Sequence, residues 1–478
     1  MRLVEALRLD RSARLALVGA GGKTSALFSL GRQLLKPLPV QTAQAAAVAP
    51  PIRQAPAGAA EASAPPAVIL TATTHLAMEQ LALADRHYTL QDIADLDDLE
   101  QDLPSGVLLF TGPASDDQRT RGLPEPIMER LRQLADLRSL PMLIEADGSR
   151  RRPLKAPAAH EPVTPLWARQ VAVVAGLSAL GKPLNADWVH RPEIFSALSD
   201  APLNLPITPE GLTRLLLHPQ GGLKNIPQGA RRLALLNQAD TLEMQGIARR
   251  MAQSLLQEYG AVVVASIPGR ASSTRQEDQS KVIAVHERIA GVILAAGGAQ
   301  RMGQPKQALI WRGQPLVRHV AQAALEAGLA PVVVIVGSAA EQVEAAVQGL
   351  PVQLVRNPEW QLGQSSSVKA GVSALPAETG AAVFLLADQP RTPVQLIVSL
   401  MEAHAATLSP LVAPLVQGQR ANPVLLDRIT FPDLLALSGD QGGRALFARY
   451  PAYWVPWHDP TILQDIDTPE DYQRLLET

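Results

Sequence analysis

Short unbroken apolar runs alternate along the chain with stretches whose apolar residues recur every three or four positions. This is the pattern of buried parallel strands joined by amphipathic helices. In the first half the runs fall at 15–18, 67–71, 142–144, 171–176, 233–236 and 261–266, and Leu27, Leu30 and Leu34 give helical spacing over 25–35. In the second half a run starting at Gly291 is followed by others at 332–337, 353–355 and 382–387, with helices predicted at 316–328 and 340–347. The alternation predicts an α/β protein whose ligands sit at the carboxyl ends of the strands.

Two stretches interrupt the pattern. Residues 36–66 are mostly Ala, Pro and Gln with few large apolar groups, too few to repay the entropy of ordering, and are expected to form a disordered insertion. Residues 269–287 are polar, including Ser272, Ser273, Thr274, Arg275, Glu277 and Asp278, and mark a boundary. The expected organisation is therefore a first domain at 1–268, a linker at 269–288 and a second domain at 289–478. A chain of 478 residues fits two or three domains.

Composition narrows the classes of partner. With 43 Lys plus Arg against 45 Asp plus Glu, no global field favours nucleic acid or an anionic membrane, so any anion must be bound locally. The absence of cysteine excludes disulfides and thiolate metal sites. Residues 1–10 lack the apolar core of a signal peptide, and the apolar runs are too short to span a bilayer, so the expected location is the cytoplasm.

The chemistry concentrates at strand ends. After the run at 15–18, Gly19-Ala20-Gly21-Gly22-Lys23-Thr24 combines glycines, a lysine and a hydroxyl at a helix start, a cradle for phosphate and Mg²⁺. The compressed spacing resembles the ATP loop of Mur ligases; a plain strand-to-helix turn is the alternative. The run at 67–71 leads to Thr73, Thr74 and His75. The run at 142–144 ends in Glu145-Ala146-Asp147-Gly148, where Asp147 is a candidate metal ligand opposite Thr24. Asn237-Gln238-Ala239-Asp240 is similar to the N-K-x-D base-reading motif of GTPases with Gln238 in place of lysine. An acid there can pair with a guanine edge, whereas the replacement favours an ordinary turn.

In the second half, Leu294-Ala295-Ala296-Gly297-Gly298 runs on to Arg301 and Lys306, small residues followed by two cations suited to a triphosphate. Ser365, Ser366 and Ser367 open a predicted helix, and Ser366 and Ser367 are candidate nucleotide contacts. Asp388, at the exit of the run at 382–387, is a candidate Mg²⁺ ligand. Asp467 is a second, although Thr468, Glu470 and Asp471 beside it read equally as helix-capping chemistry.

On Gly19 to Ser25, Thr71 to His75, Glu145 to Lys155 and the segments at 156–162 and 176–183, residues 10–268 resemble the YqeC-like family, associated with selenium-dependent molybdenum hydroxylases. On Leu294 to Lys306, Gly363 to Gly371, Asp388-Gln389-Pro390, Arg420 to Val424, Gly439 to Arg444 and Asp465 to Tyr472, residues 289–475 resemble the molybdenum cofactor cytidylyltransferases among the MobA-like nucleotidyltransferases. The resemblance implies a P-loop-like α/β domain followed by a doubly wound, Rossmann-like nucleotidyltransferase domain. It implies CTP and molybdopterin as substrates, Mg²⁺ as metal, and Asn422 and Arg444 as contacts to the pterin or its phosphate. It also implies ATP or GTP in the first half, and a molybdenum hydroxylase or its insertion chaperone as partner. The Ala at 296, where guanylyl-transferring relatives carry Gly, favours cytidine. The alternatives are a cofactor-handling or insertion factor with a nucleotide switch, a guanylyltransferase, and a sugar-nucleotide pyrophosphorylase.

Overall fold

A computed structural model of the chain describes residues 1–37, 66–115, 118–268, 280–298, 302 and 305–477. Most of the expected insertion at 36–66, most of the linker, and Arg301 lie outside the described residues. The chain divides into two compact units, the first ending at His286 and the second beginning at Glu287.

The first unit is built on a nine-stranded sheet. Its order is Lys281–Glu287, Ala261–Ser266, Arg231–Asn237, Gln170–Gly176, Arg14–Gly19, Met142–Glu145, Ala67–Ala72, Gly106–Thr111 and Arg86–Thr89. The pairings from Ala261–Ser266 through to Arg86–Thr89 are parallel. Central strands are covered on both faces, which is why Ala67–Ala72 and Met142–Glu145 are buried at every position and read as unbroken apolar runs. The helix Lys23–Leu34 begins directly after the Gly19 loop and buries Leu27, Leu30 and Leu34, the three leucines that predicted it. The chain order reverses about Arg14–Gly19: strands from the later half of the unit lie on one side and Met142–Glu145 and Ala67–Ala72 on the other. In an open parallel sheet such a switch point opens a crevice at the carboxyl edge.

One boundary is corrected. Lys281–Glu287, assigned to the linker from its polarity, is a strand beside Ala261–Ser266. Val282, Val285 and Glu287 are buried, the positions between them are half-buried and Lys281 is exposed. The strands Arg86–Thr89 and Gly106–Thr111 and the helix Glu125–Leu137 are further elements that the apolar runs did not announce.

The second unit holds an eight-stranded mixed sheet. Gln353–Arg356, Val332–Val336, Ile289–Ala295 and Ala381–Leu386 pair in parallel. Val424–Asp427 then runs antiparallel to Ala381–Leu386, and Leu411–Val416 antiparallel to Val424–Asp427. Ala452–Pro456 pairs in parallel with Leu411–Val416. Alternate residues feed separate cores on the two faces: Ile293, Val334 and Val383 on one, Val292, Val333 and Phe384 on the other. Among the described residues no helix is long and apolar enough to cross a membrane.

Phe110 is fully buried in the first unit and stacks on Tyr88 with ring centroids 5.2 Å apart. Phe110→Ala should cost about 3–5 kcal/mol, the usual range for emptying a packed aromatic site. Amide hydrogen exchange of Ala67–Ala72 and Gly106–Thr111 would register the loss as faster exchange.

Candidate functional site

In the second unit the loop after Ile289–Ala295 opens onto a cavity of about 510 Å³. Its lining includes Leu294, Ala296, Gly297, Gly298, Lys306, Ser367 and Asp388. The strand positions these groups: Leu294 and Ala296 lie on the face that carries the cavity, Ala296 buried beneath it, while Ala295 turns into the core on the opposite face and is not part of the lining. The loop is tied from two directions, since the Gly297 carbonyl accepts from Gln307 Nε2 at 2.9 Å and from Ser338 Oγ at 3.0 Å. Gly298 sits close to Trp360: a Cβ there would lie 3.0 Å from the ring, which would have to shift by a few tenths of an ångström.

Lys306 stands between two acids. Its ammonium donates to Asp388 Oδ2 and, at 2.8 Å, to Asp467 Oδ1. Partial burial disfavours its charge, but the two carboxylates outweigh that and hold its pKa above the ordinary lysine value. Asp388 reaches this position from the exit of Ala381–Leu386, and the Ile466 amide donates to the Asp388 carbonyl at 3.3 Å, bringing the C-terminal acids alongside. Asp465 also faces the group; burial, followed by the charges of Asp388 and Asp467, raises its pKa even though Gln389 Nε2 donates to it at 2.5 Å. Thr468 caps Pro469–Leu476 as its sequence suggested, while the neighbouring Asp467 side chain goes to Lys306.

The remaining sequence candidates divide. Ser367 lines the cavity, but the Ser366 hydroxyl is engaged internally, donating to the Gly363 carbonyl at 2.8 Å and accepting from Asn357 Nδ2 at 2.9 Å. Asn422 lies two residues before Val424, the partner of Phe384, so it is at the same sheet edge as Asp388; neither it nor Arg444 is part of the cavity lining. Arg444 is exposed and close enough to Arg420 to help depress that guanidinium's pKa, after the larger effect of burial. Trp360, Gln364 and Asp440 also line the cavity and were not singled out from sequence, although Gln364 and Asp440 lie within the motifs quoted above.

The first unit carries a second constellation at its switch point. Gly22 has φ +121°, and a Cβ there would meet Asn237 Nδ2 at 2.3 Å, so the loop tolerates only glycine. Lys23 is buried, with Nζ 2.6 Å from the Gly19 carbonyl and 3.2 Å from Asp147 Oδ1. Thr24 Oγ1 donates to Glu145 Oε2 at 2.7 Å, so the acid opposite the threonine is Glu145, and Asp147 instead accepts from the Gly19 amide at 3.0 Å. Asp147 Oδ1 is buried, with the Lys23 ammonium as its ion-pair partner. Lys155 extends the network, with Nζ 2.8 Å from both Asp147 and Glu161, and Arg191 lies 2.7 Å from Glu161. Burial raises the Glu145 pKa, with Lys23 and Thr24 opposing it. Among the described residues no group of three or more His, Asp and Glu is arranged to hold a metal ion. Two carboxylates completed by phosphate oxygens would be enough for Mg²⁺.

A lysine and a pair of acids meet on one sheet edge beside a cavity, and the second unit falls in the class of nucleotidyltransferases by its family match. Comparison with known proteins gives the particular families. The MobA-like NTP transferase domain matches residues 291–453 and the YqeC protein family matches residues 58–193, and the chain belongs to both, one in each half. It is 33% identical over 200 residues to nicotine blue oxidoreductase of Paenarthrobacter nicotinovorans, covering 39% of this chain and 96% of that protein. It is 31% identical over 236 residues to the uncharacterized protein YqeC of Escherichia coli, covering 49% of this chain and 78% of the relative. Among solved structures, Rv0371c of Mycobacterium tuberculosis is 27% identical, covering 40% of this chain and 98% of that one with a TM-score of 0.37.

Lys306 stands between Asp388 and Asp467 and neutralises both, so replacing it leaves two carboxylates together without a cation. Lys306→Met should therefore tighten binding of Mn²⁺ alone by roughly tenfold, about 1.4 kcal/mol, as measured by isothermal titration calorimetry. In the first unit, burial works against the Glu161 charge, but hydrogen bonds from Arg191 and Lys155 lower its pKa from 4.5 to about 2. Its contribution to stability is complete above 4.5 and lost as pH falls through about 2. The His190 pKa is lowered to about 4 by burial and by Arg191, so the unfolded chain binds the extra proton and stability also falls as pH drops from 6.5 towards 4. Thermal unfolding across pH should show both slopes; Glu161→Gln should remove the lower one and His190→Gln the upper.

Proposed function

We propose that the second unit is a molybdenum cofactor cytidylyltransferase, transferring CMP from CTP to molybdopterin with release of pyrophosphate. The observation that carries this reading is the convergence of Lys306, Asp388 and Asp467 at the mouth of the cavity behind the Leu294–Gly298 loop. The loop's backbone amides and Lys306 would bind the triphosphate, with Arg301 as a further cation from sequence. Asp388 and Asp467 fit Mg²⁺, because they already gather around one positive charge and Asp467 is 44% exposed on its side chain, leaving room for phosphate oxygens. When bound there, the metal supplies neutralisation of the charge on the phosphates.

The reaction requires a phosphate oxygen of molybdopterin to form a bond to the α-phosphorus of CTP while the bond to the β-phosphate oxygen breaks. The nucleophile is already an anion, so no side chain has to remove a proton. Alignment in the cavity and charge neutralisation by Lys306 are the protein's contributions. Asn422 and Arg444, near the same sheet edge, are proposed contacts for the pterin or its phosphate. Ala296 favours CTP over GTP.

For the first unit we propose nucleotide binding on a P-loop-like turn, with Gly19, Gly21 and Gly22 close to the phosphates, Lys23 neutralising them, and Thr24 with Asp147 holding Mg²⁺. What supports this is that Lys23 and Asp147 already stand together at the loop, with the ammonium 3.2 Å from Asp147 Oδ1, where a phosphate and its counter-cation would meet. In this reading the first half is a nucleotide-dependent handling module that passes the finished cofactor to a molybdenum hydroxylase or its insertion chaperone.

Incubating the purified protein with Mg²⁺, molybdenum cofactor and either CTP or GTP, and measuring pyrophosphate and the dinucleotide, tests the assignment. CTP should support turnover, and Asp388→Asn should lower it by roughly 10²-fold or more, whereas Lys23→Ala should leave it unchanged. Turnover with GTP alone would refute the base assignment. Full activity in Asp388→Asn would refute the role of that acid.

A further inference from the structure

The segment Asn237-Gln238-Ala239-Asp240 follows the strand Arg231–Asn237 and, from sequence, an ordinary turn was its simplest explanation. A turn is held by bonds between residues three apart. This segment is instead anchored to three distant parts of the sheet edge. Asn237 is fully buried; its Nδ2 donates to the Gly21 carbonyl at 2.7 Å, across 216 residues, and its Oδ1 accepts from the Ile267 amide at 2.8 Å. Gln238, in the left-handed region at φ 63°, accepts from Ser178 Oγ at 2.6 Å and lies against Gly176, where a Cβ would meet its Oε1 at 2.4 Å. Asp240 accepts at Oδ1 from Ser266 Oγ, at the exit of the next strand. The phosphate loop and the Asp240 loop are thus fixed to each other by one buried asparagine.

Their separation suits a nucleotide. Between the Gly19 strand and the Asn237 strand stands only Gln170–Gly176, so the two loops emerge two strand spacings apart, about 10 Å. That is comparable with the reach of a nucleoside diphosphate from phosphate to base. Asp240 is exposed, Ser266 fixes one of its oxygens, and among the described residues Oδ2 takes no hydrogen bond. A carboxylate so held is a pure acceptor. Guanine offers it two adjacent donors, the ring N1–H and the exocyclic amino group; adenine presents an acceptor at N1 and repels it.

We propose that the first unit binds a guanine nucleotide and reads the base with Asp240, positioned by Ser266 and by the Asn237 bridge to the phosphate loop. This rests on the reading of Gly19–Thr24 as a phosphate site, and its test separates the two. The full chain, with excess CTP present to occupy the second unit, is titrated with GDP, ADP and xanthosine diphosphate by calorimetry. GDP should bind roughly 10- to 100-fold more tightly than ADP, the worth of one bidentate contact. Asp240→Asn, an isosteric change at an exposed site, should lose GDP and gain xanthosine diphosphate, whose carbonyl at the same position accepts from the new amide. Ser266→Ala should weaken GDP several-fold without altering the fold seen by circular dichroism. Lys23→Ala should abolish binding of all three. Equal binding of GDP and ADP, unchanged by Asp240→Asn but lost in Lys23→Ala, would overturn the base reading and leave the phosphate site standing. Failure of every diphosphate to bind would remove the phosphate site and the base reading with it.

Discussion

Parallel strands buried on both faces leave no room for polar chemistry except at their ends, and this constraint organises both halves of the chain. The backbones of Met142–Glu145 and Ile289–Ala295 pair with strands on both sides, and their side chains pack on the two faces except near the carboxyl ends, where Leu294 lines the cavity and Glu145 meets Thr24. Charged and polar residues therefore collect where the strands stop. Glu145, Asp147 and Asn237 in the first unit and Asp388 in the second all stand at or just past a strand's carboxyl end, where loop amides and helix starts present positive partial charge.

The two edges handle those charges differently. In the first unit Lys23, Lys155, Glu145 and Asp147 are nearly inaccessible to water and compensate each other within a closed network. Removing one partner from such a set leaves an uncompensated buried charge, a loss of about 3–5 kcal/mol. In the second unit Lys306 and its two acids are partly open to solvent beside a roomy cavity, so under the proposed function they would exchange partners with a bound triphosphate and its metal. The first arrangement suits a rigid binding loop; the second suits turnover.

Much of this was legible along the chain because local pattern reports local burial. The strand at Ala261–Ser266 matched its apolar run residue for residue, and the helix Lys23–Leu34 followed its leucines. The strand Lys281–Glu287 was not legible, since its short apolar stretch at 282–285 directly follows a polar segment and its pairing with Ala261–Ser266 is a tertiary contact that local pattern does not report. The antiparallel part of the second sheet was likewise hidden, because Val424–Asp427 is short and its register depends on the strand it joins.

By itself the sequence determined the α/β class, the two glycine-rich loops, and the lysines and acids that follow strands, because small residues, cations and carboxylates at strand exits have few other physical uses. Only the tertiary structure decided the partnerships. Asp467 meets Lys306 across 161 residues, Thr24 takes Glu145 in place of Asp147, Ser366 turns inward to Asn357, and Asn237 reaches back to Gly21. Those pairings depend on which strands lie side by side, and strand order is set by how the whole chain buries its apolar surface rather than by spacing within any one motif.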